Sequence, residues 1–370
     1  MKEKGAHTDP HADIIQDDIL TIANALYEEA GALEGSSVLI TGGAGFLGSY
    51  MVATLLHLNT TRLRRPCTVT VVDNFITGSK KNVITDVDKK QFRFVEHDIR
   101  KPLPKDITAD YIIHAAGLAS PFYYRKYPLE TIEVAVQGTK HCLELARENK
   151  VKGLLYFSSS EIYGDPHPDF IPTPEEYWGN VSPIGPRACY DESKRLGETL
   201  CMTYFQLYDL AVKIVRPFNV YGPGMKTNDY RVVPTFMTKA LKGEALPVHD
   251  TGMQTRTFCY ITDAVTGFLK VLIAGSRGGV YNVGTCDEEI SMTDLARLIA
   301  RISPASVPVE CIAYPESYPA GEPRRRCPDI SKICRELTYR PRVDLETGMK
   351  RTLAWFQGIL EEEARETRTR

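Results

Sequence analysis

The sequence has no CxxC pair and no HExxH helix, and its nine cysteines and eight histidines are scattered along the chain. No structural or catalytic metal is therefore expected, and no disulfide framework, which a chain of this length does not need. No apolar run approaches the roughly 18 residues of a membrane-spanning helix. The opening residues, Met1 to Gln16, are polar and acidic and lack the apolar core of a secretory signal. Reduced thiols and a cytoplasmic location are the expectation. Excess charge of one sign is missing too: Lys+Arg 45 against Asp+Glu 47 leaves a net −2. No overall basic field recruits nucleic acid, so any anionic ligand must be held by a few local charges. Repeats and low-complexity tracts are absent as well.

What is there is an ordinary globular composition: 370 residues, 43% hydrophobic and 25% charged. At about 100–200 residues per domain the length predicts two or three compact units. Apolar residues at helical spacing over 13–32 predict an N-terminal amphipathic helix. Strand-like runs then fall at 37–41, 68–72, 92–96, 111–115, 153–158 and 211–216, alternating with helix-like stretches at 48–59, 131–149 and 189–208. That alternation implies βαβ crossovers and a mostly parallel sheet covered on both faces. Beyond residue 222 the rhythm loosens into short strands at 245–249, 279–283 and 309–313 and helical stretches at 262–274 and 292–302, which predict a smaller α+β lobe. The last residues, acidic and then basic, predict a frayed tail.

Thr41-Gly42-Gly43-Ala44-Gly45-Phe46-Leu47-Gly48 follows the first strand and opens a helix. Gly42 and Gly45 permit a tight turn and close approach of backbone to a pyrophosphate. Gly48 lets the helix pack on the strand, and the helix N-terminus supplies N–H groups and a positive dipole end. Asp73 ends the second strand, 25 residues after Gly48. A carboxylate there accepts hydrogen bonds from both adenosine ribose hydroxyls and repels a 2′-phosphate, which favours NAD. Asp98, after the third strand, is expected to face the adenine. The fold class that follows is α/β: a Rossmann doubly wound parallel sheet with a smaller C-terminal α+β substrate lobe. Its expected limits are a helical extension at 1–35, the NAD-binding domain at 36–222 with segments returning from the C-terminal half, the lobe at 223–357 and the tail at 358–370.

Tyr190 and Lys194 form a YxxxK pair on one helix face. An ammonium beside a phenol stabilises phenolate, which makes a base usable near neutral pH. By itself such a pair is common, and its bland counterpart is a surface tyrosine with a solvated lysine. Ser158-Ser159-Ser160-Glu161, however, ends the preceding strand at the carboxyl edge where α/β sites lie.

From 37 to 356 the chain resembles the extended short-chain dehydrogenase/reductases that act on nucleotide sugars, and among them most closely the UDP-glucuronate decarboxylases. The stretches that carry this are DNFITGSKKNV (73–83), SSSEIYGDP (158–166), YWGNVSPIGPRACYDESKR (177–195), RVVPTFMTKALKGEALPV (231–248), QTRTFCYITD (254–263) and RRRCPDI (324–330). The resemblance implies a catalytic set of Tyr190, Lys194, Ser159, Glu161 and Arg326. It implies NAD contacts at Gly42, Gly45, Phe46, Leu47, Gly48, Asp73, Asn74, Asp98, Ile99, Tyr190 and Lys194. Tyr124, Asn219, Arg231, Arg256 and Arg326 would bind a nucleotide sugar, and a homodimer would form through the helices at 131–149 and 189–208. The implied chemistry is transient oxidation at C4 followed by decarboxylation of a UDP-uronate. A C4-epimerase or 4,6-dehydratase shares the first step, and an inactive NAD-binding sensor is the alternative from another class. Several positions depart from the decarboxylase pattern: Ser159 for threonine, Cys327 for lysine, Tyr230 for glycine, and the segment His114-Ala115-Ala116-Gly117-Leu118 after the fourth strand.

Overall fold

The computed structural model describes residues 10–84, 87–314 and 323–368. Its centre is a seven-stranded sheet. The strands are β1 (Ser37–Thr41), β2 (Thr68–Asp73), β3 (Phe92–Glu96), β4 (Tyr111–His114), β5 (Gly153–Phe157), β6 (Val212–Pro217) and, after four short strands, β11 (Gly279–Val283). Their order is β11-β6-β5-β4-β1-β2-β3, and every neighbouring pair runs parallel. The order reverses between β1 and β4, which opens a crevice at their carboxyl ends.

Alternation along each strand sends neighbouring side chains to opposite faces. Val38 and Ile40 of β1, Ile113 of β4 and Leu155 of β5 enter one core. Leu39, Ile112, Leu154 and Tyr156 enter the other. The first core is covered by α1 (Pro10–Ala25), α2 (Phe46–Thr61) and α8 (Ile261–Ala274). The second is covered by α5 (Thr139–Asn149) and α6 (Ala188–Tyr208), after the short α3 (Pro121–Lys126) and α4 (Pro128–Glu133). A π-helical turn, Val134–Gly138, joins α4 to α5.

The rest is built from α7 (Val232–Leu241), α9 (Met292–Ile302) and short strands. β7 (Val220–Tyr221) pairs with β10 (Cys259–Tyr260), and β8 (Leu246–His249) with β13 (Val309–Ile312). β9 (Thr255–Arg256) lies between β12 (Ile290–Ser291) and β14 (Arg325–Arg326). The register sets Arg326 beside Arg256. α10 (Ser331–Leu337) and α11 (Leu345–Arg368) close the chain.

Three expectations change. β11 and α8, read as parts of the lobe, join the main sheet and its cover, because β11 pairs with β6. The N-terminal helix ends at Ala25, and a 3₁₀ turn at Ala30–Leu33 follows. The tail is not frayed through 368: α11 continues to Arg368, while residues 369 and 370 lie outside the described residues, as do 1–9. Among the described residues no helix is long and apolar enough to cross a membrane, and no group of His, Cys, Asp and Glu could hold a metal ion.

Candidate active site

The loop between β1 and α2 is shaped by contacts that only glycine tolerates. Gly42 has φ +76, and a Cβ there would lie 2.7 Å from the Ala116 backbone. A Cβ on Gly48 would lie 2.2 Å from the Gly42 carbonyl oxygen. Gly45 is the N-cap of α2 and provides no side-chain cap, so the first-turn N–H groups of Phe46, Leu47 and Gly48 are left for an anion. Asp73 at the end of β2 accepts from the Ala44 N–H at 3.0 Å and the Phe75 N–H at 2.8 Å. Burial raises its carboxyl above the ordinary value, against the pull of those N–H groups and of Lys226.

These residues open onto a cleft of about 910 Å³. Gly42, Gly45, Phe46, Leu47, Gly48 and Asp73 line it, with Asn74 and Ile99. Capless N–H groups, a glycine cradle and a strand-end carboxylate on one cleft together fit a dinucleotide. Asp98 does not line the cleft. Arg100 grips its carboxylate, Nε at 2.9 Å and Nη2 at 2.6 Å from Oδ2, and it is Arg100 that lines the cleft in its place. The far wall was not expected: Ile15 of α1 and Trp355, Ile359, Glu362 and Glu363 of α11 complete it.

Tyr190 and Lys194 lie in the first turns of α6, 4% and 5% exposed. Lys194 Nζ donates to the Phe157 carbonyl at 2.7 Å and sits 5.8 Å from the Tyr190 ring centroid. Burial pushes the Tyr190 phenol up to about 12, with a Ser159 hydrogen bond working against it. Burial also brings Lys194 down to about 8. The lysine thus does not depress the phenol in this state, because desolvation outweighs it. Ser159 caps the 3₁₀ turn Ser160–Tyr163, its Oγ accepting the Glu161 N–H at 3.2 Å. Gly117 explains one departure: a Cβ there would lie 3.3 Å from Lys194 Nζ.

Glu161 and Arg326, 165 residues apart in sequence, meet in a double hydrogen bond, Nη1–Oε1 2.5 Å and Nη2–Oε2 2.8 Å. Arg187, which precedes α6, donates to the same Oε2. Burial disfavours the Glu161 charge, but Arg187 and Arg326 together hold its carboxyl below the usual range. Tyr124 stacks on Tyr190 with centroids 5.3 Å apart, and its buried hydroxyl has no hydrogen-bond partner.

The other substrate candidates divide. Arg231 lines the cleft, bound through Nη2 to Asp229 Oδ2 at 2.7 Å. Asn219 donates its amide to the Thr257 carbonyl at 2.8 Å. Arg256 is buried, with Nη1 on the Thr255 carbonyl at 2.8 Å and Nη2 on that of Pro323 at 2.6 Å. Neither Asn219 nor Arg256 lines the cleft. The departing Tyr230 stacks on Phe122 at 4.3 Å, and burial pushes the Cys327 thiol up to about 12. Sequence reading missed Arg187 and Asp191. Their i, i+4 spacing was visible, but their relevance depends on β14 carrying Arg326 to the same place.

UDP-glucuronic acid decarboxylase 3 of Arabidopsis thaliana is 41% identical over 312 residues, covering 84% of this chain and 86% of that protein. UDP-glucuronic acid decarboxylase 1 of Xenopus tropicalis is 41% identical over 327 residues, covering 88% of this chain and 73% of that protein. Among solved structures, the dTDP-glucose 4,6-dehydratase DesIV of Streptomyces venezuelae, with NAD and TYD bound, superposes with a TM-score of 0.75 at 29% identity. The superposition covers 87% of this chain and 97% of that one. The family profile matches residues 38–284, and the chain belongs to the NAD dependent epimerase/dehydratase family.

Proposed function

We propose that this protein is an NAD-dependent decarboxylase that converts UDP-glucuronate to UDP-xylose. The observation that carries the reading is the Arg326–Glu161–Arg187 cluster beside Tyr190, which places two guanidiniums where a sugar carboxylate can be gripped. The decarboxylase names of the relatives at 41% identity support it.

The glycine loop, the α2 N-terminus, Asp73 and Ile99 would hold NAD, which when bound supplies reversible acceptance of the C4 hydride. Tyr190 acts as phenolate, formed by loss of its proton once the positive charge of bound NAD and the Lys194 ammonium would offset the cost of burial; its Oη then takes the proton of the sugar 4-hydroxyl, and Ser159 orients that oxygen. Lys194, pinned on the Phe157 carbonyl, keeps its ammonium near the phenol. Arg326 and Arg187 grip the C6 carboxylate. The 4-keto acid is a β-keto acid, so the C5–C6 bond breaks, CO₂ leaves and the electron pair remains as an enolate. The arginines stabilise that charge until C5 takes a proton from solvent; the C4 hydride then returns to the 4-keto carbon and Tyr190 gives its proton back to O4, which leaves the pentose and the cofactor as it began. Glu161 is held ionised, so its role is to position the arginines and the ring rather than to supply a proton at rest.

Two further parts of the reading are a homodimer and a cytoplasmic location. Leu129 and Ile132 of α4 and Leu196 and Leu207 of α6 are exposed, which supports pairing through those helices.

The test is incubation with UDP-glucuronate followed by mass measurement. A UDP-pentose lighter by one CO₂ is expected, and Tyr190→Phe abolishes it while NAD stays bound. An isomer of unchanged mass would make the protein an epimerase, and loss of water a dehydratase. Retention of Tyr190 and Lys194 as buried residues, with Glu161 paired to Arg326, favours an enzyme over an inactive sensor.

A further inference from the structure

Glu161, Arg326, Arg187 and Asp191 form one buried cluster of two carboxylates and two guanidiniums, with side chains 20%, 5%, 12% and 7% exposed. Arg326 contacts both Glu161 oxygens and Arg187 contacts one. Asp191 has a weaker hold: its Oδ2 is 3.5 Å from Arg187 Nε, and its buried Oδ1 has no hydrogen-bond partner. Arg326 Nε and the Tyr124 hydroxyl are also buried without partners. Arg256 stands outside this cluster: its field reaches Glu161, but its guanidinium donates to the Thr255 and Pro323 carbonyls.

A third carboxylate, that of a sugar acid, cannot join these balanced charges without burying a net negative charge, which is costly unless one group is neutralised. Glu161 has two arginines and stays ionised. Asp191 has a single ion-pair contact, with Arg187 at 3.5 Å, feels Arg326 only through its field, and faces the like charge of Glu161. We propose that Asp191 takes up a proton as the sugar carboxylate binds, which frees Arg187 from its second partner to grip the substrate.

Asp191 is then a positioning residue for carboxylate recognition, and the inference rests on the decarboxylase reading for its ligand. The groups that face it are Glu161 from the turn after β5, Arg326 from β14, Tyr124 from α3, and Arg187, Cys189 and Tyr190 from its own end of α6. Burial first, then Glu161, raises its carboxyl to about 7 against the pull of Arg187 and Arg326. Proton uptake is therefore accessible at working pH.

Calorimetry on the NAD-loaded Tyr190→Phe protein, which does not consume the ligand, tests this. UDP-glucuronate and UDP-glucose are titrated at about pH 8 in two buffers of different ionisation enthalpy. Their diphosphates are identical, so the difference isolates the carboxylate. Uptake of close to one proton is expected for UDP-glucuronate and none for UDP-glucose. Kd for UDP-glucuronate should weaken roughly tenfold per pH unit well above neutrality, as the protonated fraction falls. Adding Asp191→Asn should remove both the uptake and the pH slope. Missing uptake in the parent protein, or uptake that persists with Asp191→Asn, overturns the proposal while leaving the decarboxylase reading intact. Failure of both nucleotides to bind overturns that reading, and the proposal with it.

Discussion

His114 ends β4 with 1% exposure, its Nδ1 2.7 Å from Thr41 Oγ1 and its Nε2 without a partner. Burial and then the Lys194 charge bring its imidazole from an ordinary 6.5 down to about 3. The unfolded chain therefore binds a proton below 6.5 that the folded chain refuses until about 3. Stability contributed by this residue is full above 6.5 and falls as pH drops through that window, by about 1.4 kcal/mol per pH unit. Melting curves from pH 7 to 4.5 should show an acid limb that is shallower in His114→Gln. An unchanged slope would mean that His114 is not held neutral. At this scale much of the candidate site was legible, because Tyr190, Lys194 and Ser159 sit in local motifs, whereas Glu161 finds its partner Arg326 only through the fold. Tyr190 still differed from expectation: spacing puts a lysine on its face, but only burial decides which way its proton affinity moves.

At the scale of elements, the turn from β1 into α2 is tightly constrained backbone at the mouth of the cleft. A Cβ on Gly48 meets the Gly42 carbonyl oxygen at 2.2 Å and the Gly43 Cα at 2.7 Å, and backbone cannot swing aside as a side chain would. Gly48→Ala should push the helix off the loop, costing about 1–3 kcal/mol of stability and most of the bound NAD. Gly31→Ala, with nothing within 4 Å, is the control and should leave both unchanged. Absorbance of the purified protein reports NAD content, and retained cofactor in Gly48→Ala would count against the cradle. This element was readable because glycine spacing, strand and helix are contiguous. β11 was recognised as a strand but assigned to the wrong layer. A five-residue strand such as GVYNV looks the same in either sheet, and its partner β6 lies more than sixty residues upstream.

Across the whole molecule, the two chain ends that carry no recognisable motif turn out to wall the cofactor cleft. They are fastened by one buried carboxylate. Asp18 of α1 accepts from Tyr50 of α2 at 3.1 Å, Tyr260 of β10 at 2.9 Å and Arg351 of α11 at 2.8 Å. One of three aspartates in an amphipathic helix gives no hint of partners drawn from three other elements, so this knot was invisible in the sequence. Asp18→Ala leaves a guanidinium and two phenols facing a void. Removing one partner of a fully buried pair costs about 3–5 kcal/mol. Arg351 is 33% exposed and can rehydrate, so a loss on the order of 2 kcal/mol is expected. Because Ile15 and Ile359 ride on the helices this knot joins and both line the cleft, NAD affinity should fall with stability. Melting with and without saturating NAD separates the two effects. A smaller NAD-dependent rise in Tm for Asp18→Ala than for the parent places the chain ends in cofactor retention. An equal rise would reduce them to a structural brace.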